Sequence, residues 1–160
     1  MQNYRGRIER FQERLQERGI NGIIISTPEN RRYLSGFTGS SGVLLIDANQ
    51  GILVTDFRYQ TQAKQEATEF ELVIQQTQLW STVGQIFRRL NWSRIGYEER
   101  NLSAKEYLNL LNDFPSKAWV PTAGLVEELR QIKDQQELAL IKQAIGLGDQ
   151  VWEEFIPTIK

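Results

Sequence analysis

Two residue types are missing from this 160-residue chain: it has no cysteine and no histidine. Without cysteine there is no disulfide framework, no thiolate zinc or iron–sulfur site, and no thiol nucleophile. Without histidine there is no Ser-His or Cys-His couple and no imidazole metal ligand. Any chemistry must rest on carboxylates, lysine, tyrosine, serine or threonine. The chain also lacks an excess of either charge, with 19 Lys+Arg against 20 Asp+Glu. That balance argues against a nucleic-acid partner, whose phosphates would call for a basic surface. No run approaches the roughly 18 apolar residues of a membrane span. The opening MQNYRGRIER has no apolar signal-peptide core. The expectation is a cytoplasmic protein with no membrane partner.

What is present fits one hydrophobic core. Apolar residues make up 40% and charged residues 24%, ordinary values for a globular chain. At this length about 68–70% of the unfolded surface can be buried. Tyr4, Ile8, Phe11 and Leu15 recur at helical spacing, with Arg10, Arg14 and Arg18 beside Glu9, Glu13 and Glu17 on a solvated face. Gly19 suits the end of that helix. Ile20–Ile25 is a short apolar run, as expected of a strand covered on both faces. Thr27 before Pro28 predicts a helix start, and the short helix Glu29–Ser35 should end at Gly36.

Further on, Val43–Asp47 and Ile52–Thr55 flank a tight turn and read as a hairpin. Asp56 is placed to cap a helix through Tyr59, Ala63 and Ala67. Glu71–Gln75, Arg94–Tyr97 and Lys117–Val120 read as strands, Ser81–Leu90 as a helix. Ser103 with Glu106 has the capping-box spacing. This order implies an α/β fold: a mixed sheet with one antiparallel hairpin, parallel crossovers and flanking helices. From Gln135 to Lys160, Leu138, Ile141, Ile145, Gly148, Trp152, Phe155 and Ile159 form one apolar stripe on a long C-terminal helix. Pro157 is placed to kink its end.

Candidate sites are few. Gly36–Gly42 holds three glycines spaced by three, but it lacks the Lys-Ser/Thr of a P-loop and leads into a strand. Its glycines suit a tight connection. Thr55–Tyr59 lies at a strand end, where α/β folds place ligand groups. There Arg58 can pair a carboxylate, or pair Asp56 internally. Asp47, Asp56, Glu98 and Glu99 offer only a remote carboxylate–metal reading. Glu127, Glu128, Glu153 and Glu154 suit solvated helix faces. Trp80, Trp92, Trp119 and Trp152 are scattered and suit packing rather than base stacking.

Four segments in order resemble a known family. Asn30-Arg31-Arg32-Tyr33-Leu34-Ser35-Gly36-Phe37-Thr38-Gly39-Ser40 resembles the N-x-x-Y-L-[ST]-G-F-x-G-S element of the Xaa-Pro peptidases (aminopeptidase P, prolidase and creatinase-like proteins). Thr55–Tyr59 with Gln62-Ala63 is similar to their T-D-x-R-Y…Q-A segment, though Phe57 stands where the family often has Gly or Ser. Gly96-Tyr97-Glu98 followed by Leu102-Ser103 is similar to G-x-E…L-S. Leu129–Asp134, Glu137 and Ile141 resemble the connection into the catalytic domain.

The resemblance implies a creatinase/prolidase-like N-terminal domain with a ribonuclease-H-like sheet over 1–128. Residues 129–160 would be a linker and the first helix of a pita-bread catalytic domain. In the family that second domain holds a dinuclear divalent metal site (such as Mn) of two Asp, one His and two Glu. No match to those motifs is present, so the chain is expected to hold no metal and no catalytic residue of its own. The resemblance further implies Phe37, Thr38 and Arg58 as substrate-proximal, and Tyr33 and Asp56 as supporting residues. It implies as partners a C-terminal catalytic domain, proline-containing peptides and a homo-oligomer. The alternative is a stand-alone binding or dimerisation module that reuses the fold.

Overall fold

The structure, a computed structural model, describes residues 3–159. It divides into two units, one built from residues 3–129 and one from residue 130 onward.

The first unit is a six-stranded mixed sheet in the order β4-β3-β2-β1-β5-β6. β1 (Gly22–Ile25) pairs antiparallel with β2 (Val43–Asp47), which returns as β3 (Gly51–Thr55). β4 (Glu71–Ile74), β5 (Arg94–Tyr97) and β6 (Ala118–Pro121) each add in parallel. The expected α/β fold with its mixed sheet is the observed one.

Alternation along the strands sorts the core into two layers. Ile23, Ile25, Leu44, Ile46 and Leu53 face one side. There they meet α1 (Tyr4–Glu17), α2 (Pro28–Ser35), α3 (Gln60–Glu66) and α6 (Leu125–Gln131). Ile24, Val43, Leu45, Ile52, Val54 and Ile95 face the other. That side is covered by α4 (Leu79–Phe87) and α5 (Ala104–Asp113). Strands covered on both faces explain why β1 reads as a continuous apolar run.

Local signals set most boundaries. Pro28 opens α2 and Gly36, at φ 81°, closes it. Ser103 and Glu106 form the capping box of α5. Gly19, at φ 62°, follows the last turn of α1. Elsewhere the structure differs from expectation. The helix expected from Asp56 is a 3-10 turn at Phe57–Tyr59 followed by the shorter α3. The helix expected at Ser81–Leu90 begins earlier because Leu79 and Trp80 join the core layer. α6 contains Glu127 and Glu128, which suit a solvated helix face, and runs into the connection read at Leu129–Asp134; it owes its place to Leu125 and Val126, which are buried.

The second unit, taken by itself, is α7 (Gln135–Phe155) and a 3-10 turn at Ile156–Thr158. Asp134 caps α7 by accepting from the Gln136 and Glu137 amides, and Glu137 accepts from the Asp134 amide. The helix is thus shorter than the expected span to Lys160, which lies outside the described residues. Pro157 sits in the 3-10 turn. The stripe residues Leu138, Ile141, Ile145, Trp152 and Phe155 are exposed. No helix among the described residues is long and apolar enough to cross a membrane.

Leu45 is fully buried in the central strand β2. Leu45→Ala should cost about 2–5 kcal/mol from lost transfer energy and the cavity left behind. Urea denaturation checks this: the midpoint falls and the slope stays unchanged.

Candidate functional site

The glycine-rich loop between α2 and β2 is held from beneath by one buried cation. The Arg31 side chain rises from α2 and donates to the Gly42 carbonyl and, at 2.6 Å, to the Gly39 carbonyl. Arg31 is only 3% exposed, and burial pulls its guanidinium below the ordinary arginine range. Two carbonyls are therefore turned inward to solvate a charge that has left water. Two glycines make this path possible. Gly36 has φ 81°, and a Cβ there would lie 2.9 Å from the Glu66 carbonyl oxygen. Gly42 has φ 146°, and a Cβ there would lie 2.8 Å from the Val54 carbonyl oxygen.

α2 is in turn fixed by Glu98, at the end of β5. Its carboxylate accepts from the Ser26 and Thr27 amides and from Asn30 Nδ2, each at 2.6 Å. Asn30 Nδ2 also donates to Glu127 at 2.8 Å. Burial pushes the Glu98 carboxyl above its ordinary value despite these donors. Thr27 precedes α2 but forms no side-chain cap bond; its amide goes to Glu98 instead.

β3 delivers the second half of the site. Thr55 Oγ1 donates to the Ser41 carbonyl at 2.6 Å, which docks the end of β3 on the loop. Asp56 then caps the 3-10 turn, accepting from the Arg58 amide at 3.0 Å. It also takes the Arg58 guanidinium in a two-bond fork, Nε at 2.9 Å and Nη2 at 2.8 Å. That pair holds the Asp56 carboxyl below its ordinary value. Asp56 is buried and Arg58 is 61% exposed at its side chain. The fork engages one edge of the guanidinium and leaves Nη1 directed elsewhere. The Tyr59 ring meets Phe37 edge-on at 5.7 Å, and Tyr59 and Ser40 share a hydroxyl contact at 2.7 Å.

The five residues expected at the site fall into distinct roles. Thr38 is exposed. Its amide and hydroxyl donate to Glu66 at 2.8–3.0 Å, and its hydroxyl accepts from Gln62 at 2.7 Å. Arg58 is exposed and oriented by Asp56. Phe37 is fully buried, with its ring against Tyr59 and 5.6 Å from the Arg31 guanidinium carbon. The ring closes the space under the loop, and its face is not offered to solvent. Tyr33 is buried, with the Arg7 guanidinium 4.4 Å from its ring centre. The loop and the start of α2 border a cavity of about 290 Å³ with Glu29, Arg32, Thr38 and Ser40 on its walls.

The carboxylates that suggested a metal are each committed elsewhere. Asp47 accepts from the Asn49 and Gln50 amides and from Trp92 Nε1. Glu99 accepts from the Thr122 and Ala123 amides. Among the described residues no group of three or more His, Cys, Asp or Glu is placed to hold a metal ion. The described residues do not fit a dinuclear centre. The arrangement suits recognition: a rigid loop carrying an exposed threonine, beside an arginine with one free edge.

A family model for the creatinase/prolidase N-terminal domain matches residues 7–132. The chain belongs to this family. The domain resembles that of the uncharacterized peptidase YqhT of Bacillus subtilis (strain 168), with 29% identity over 154 residues, 96% of this chain and 44% of that protein. It superimposes on the Xaa-Pro dipeptidase from Bacillus anthracis with a TM-score of 0.91 and 32% identity, covering 99% of this chain and 44% of that one. The N-terminal domain of the cytoplasmic peptidase PepQ from Mycobacterium tuberculosis H37Rv gives a TM-score of 0.69 and 30% identity, covering 78% of this chain and 98% of that one. The chain thus spans 44% of the length of the first two proteins.

Arg31 and Glu98 are the residues whose importance to the domain the sequence hid most. Glu98 is marked as the acid of G-x-E and as one of the candidate carboxylates, whereas Arg31 falls on an unspecified position of N-x-x-Y-L and is marked by nothing.

Arg31→Met keeps the bulk but strips two buried carbonyls of their donor. The expected loss is about 1–3 kcal/mol, read by thermal unfolding, with faster hydrogen exchange confined to the loop. The Asp56–Arg58 pair has a pH signature. A carboxyl lowered in the folded state adds stability that is present above about pH 3.9 and lost as pH falls through the folded value. Arg58→Ala should therefore move the acid-unfolding midpoint to higher pH. An unmoved midpoint would show that the pair contributes no such linkage.

Proposed function

We propose that this domain serves an Xaa-Pro peptidase as its accessory half, bounding the approach to a catalytic site carried by a separate C-terminal domain. The observation that carries this reading is the family match over residues 7–132, in a chain that spans 44% of its full-length peptidase relatives. The exposed Thr38 and the anchored, exposed Arg58 support it, as groups suited to recognising a substrate. In this reading the dinuclear metal, such as Mn, belongs to the catalytic domain, and the substrate is a peptide with proline in second position. Arg58, held by Asp56, offers its remaining edge to a peptide carboxylate, and Thr38 lies on the same wall. Phe37, Tyr33 and Asp56 keep that wall in place. The protein works in the cytoplasm as a homo-oligomer.

Incubation with an Xaa-Pro dipeptide tests the reading. The 160-residue chain with added Mn²⁺ should release no proline, whereas the chain joined to a catalytic domain of the family should do so. Release by the 160-residue chain alone would overturn the proposal. In the joined protein, Arg58→Ala should raise KM roughly 10–100-fold, as expected for one lost charge-assisted bond, with kcat little changed.

A further inference from the structure

The two edges of the sheet are unlike. β6 ends in Pro121, and Lys117, just before it, donates to the Trp92 carbonyl. Proline and lysine both discourage a further strand. β4 has neither, and its register with β3 runs without a bulge. The Gln75 amide donates to the Thr55 carbonyl at 2.8 Å, so positions 71, 73 and 75 bond toward β3. By alternation the N–H and C=O groups of Leu72 and Ile74 point outward from the edge. Beside this edge a groove of about 360 Å³ runs between β4 and α4, with Ile52, Val73, Ile86 and Leu90 as its apolar floor.

We propose that β4 pairs antiparallel with β4 of a second copy, in the register centred on Val73. Symmetric pairing through the outward groups allows three centres. Centring on Leu72 sets Glu71 against Val73, and centring on Ile74 sets Val73 against Gln75. Centring on Val73 sets Leu72 against Ile74, Val73 against its own copy, and Glu71 against Gln75. Each apolar side chain then meets an apolar one, and the only charge on the strand meets an amide rather than a like charge. Val73 of the copy lies on the α4 face and enters the groove. The contact is isologous, so it closes at two copies and consumes both open edges. A contact between two four-residue strands is small, and the pairing is expected to depend on concentration. The proposal gives the homo-oligomer of the reading above a surface. Its test involves no peptidase activity, so either can fail without the other.

The absence of cysteine makes the test direct. A pair whose own groups bond away from the partner brings its Cα atoms to about 4.5 Å, within disulfide reach. Val73→Cys, oxidised at high protein concentration, should form a disulfide-linked dimer, while Glu71→Cys should not. Ile74→Pro removes an outward N–H that the chain's own ladder does not use. Placed on Val73→Cys, it should abolish the crosslink and leave the circular dichroism spectrum unchanged. Sedimentation velocity of the unmodified chain should show a monomer–dimer equilibrium. The proposal is overturned by a monomer at every concentration, by equal crosslinking at positions 71 and 73, or by a dimer indifferent to Ile74→Pro. Binding of an extended peptide to β4 without self-association would overturn it in the same way.

Discussion

The buried Glu98 carboxylate is the tie on which the site depends. It joins the end of β5 to the turn between β1 and α2. Parallel strands leave such ends loose, because their bonds run only along the ladder. Three donors converge on one carboxylate instead, and the start of α2 is fixed in place and direction. Arg31 sits one residue after Asn30 on that helix, so its reach to the loop carbonyls follows from where Glu98 puts the helix. The loop then offers Phe37 a closed space, and Phe37 in turn backs Tyr59.

The electrostatics separate two kinds of ion. Arg31 and Glu98 are buried and leave their ordinary titration ranges in the direction burial dictates. Their worth lies in geometry, since each is costly to desolvate and strongly destabilising to orphan. Arg58 is exposed, and its partner Asp56 is not. A solvent-facing guanidinium anchored on a buried carboxylate keeps its orientation without giving up its hydration.

Much of the fold was legible because its signals are local. Pro28 and Gly36 bracket α2, Ser103 and Glu106 open α5, and the apolar run of β1 announces burial on both faces. α6 was legible only as the solvated helix face of Glu127 and Glu128; its bounds were not, because a helix of seven residues carries too short a pattern. The pairing of Asp56 with Arg58 was among the readings that spacing allowed. The role of Arg31 was not, because its acceptors are backbone carbonyls eight and eleven residues away. Carbonyls leave no mark in a sequence. The role of Glu98 was hidden for the same reason, its amide donors lying more than seventy residues back along the chain.

The hold that Arg31 exerts is on carbonyl oxygens, which every residue type possesses. Between the two anchored carbonyls the backbone is held independently of the side chains at positions 40 and 41, which make contacts of their own, Ser40 with the Tyr59 hydroxyl at 2.7 Å and Ser41 with the Asp56 carboxylate. The scaffold is separated from the surface it displays. A domain built this way can be retuned toward different ligands by single substitutions on the outside of one loop, while the arginine, the two left-handed glycines and the carboxylate below stay as they are.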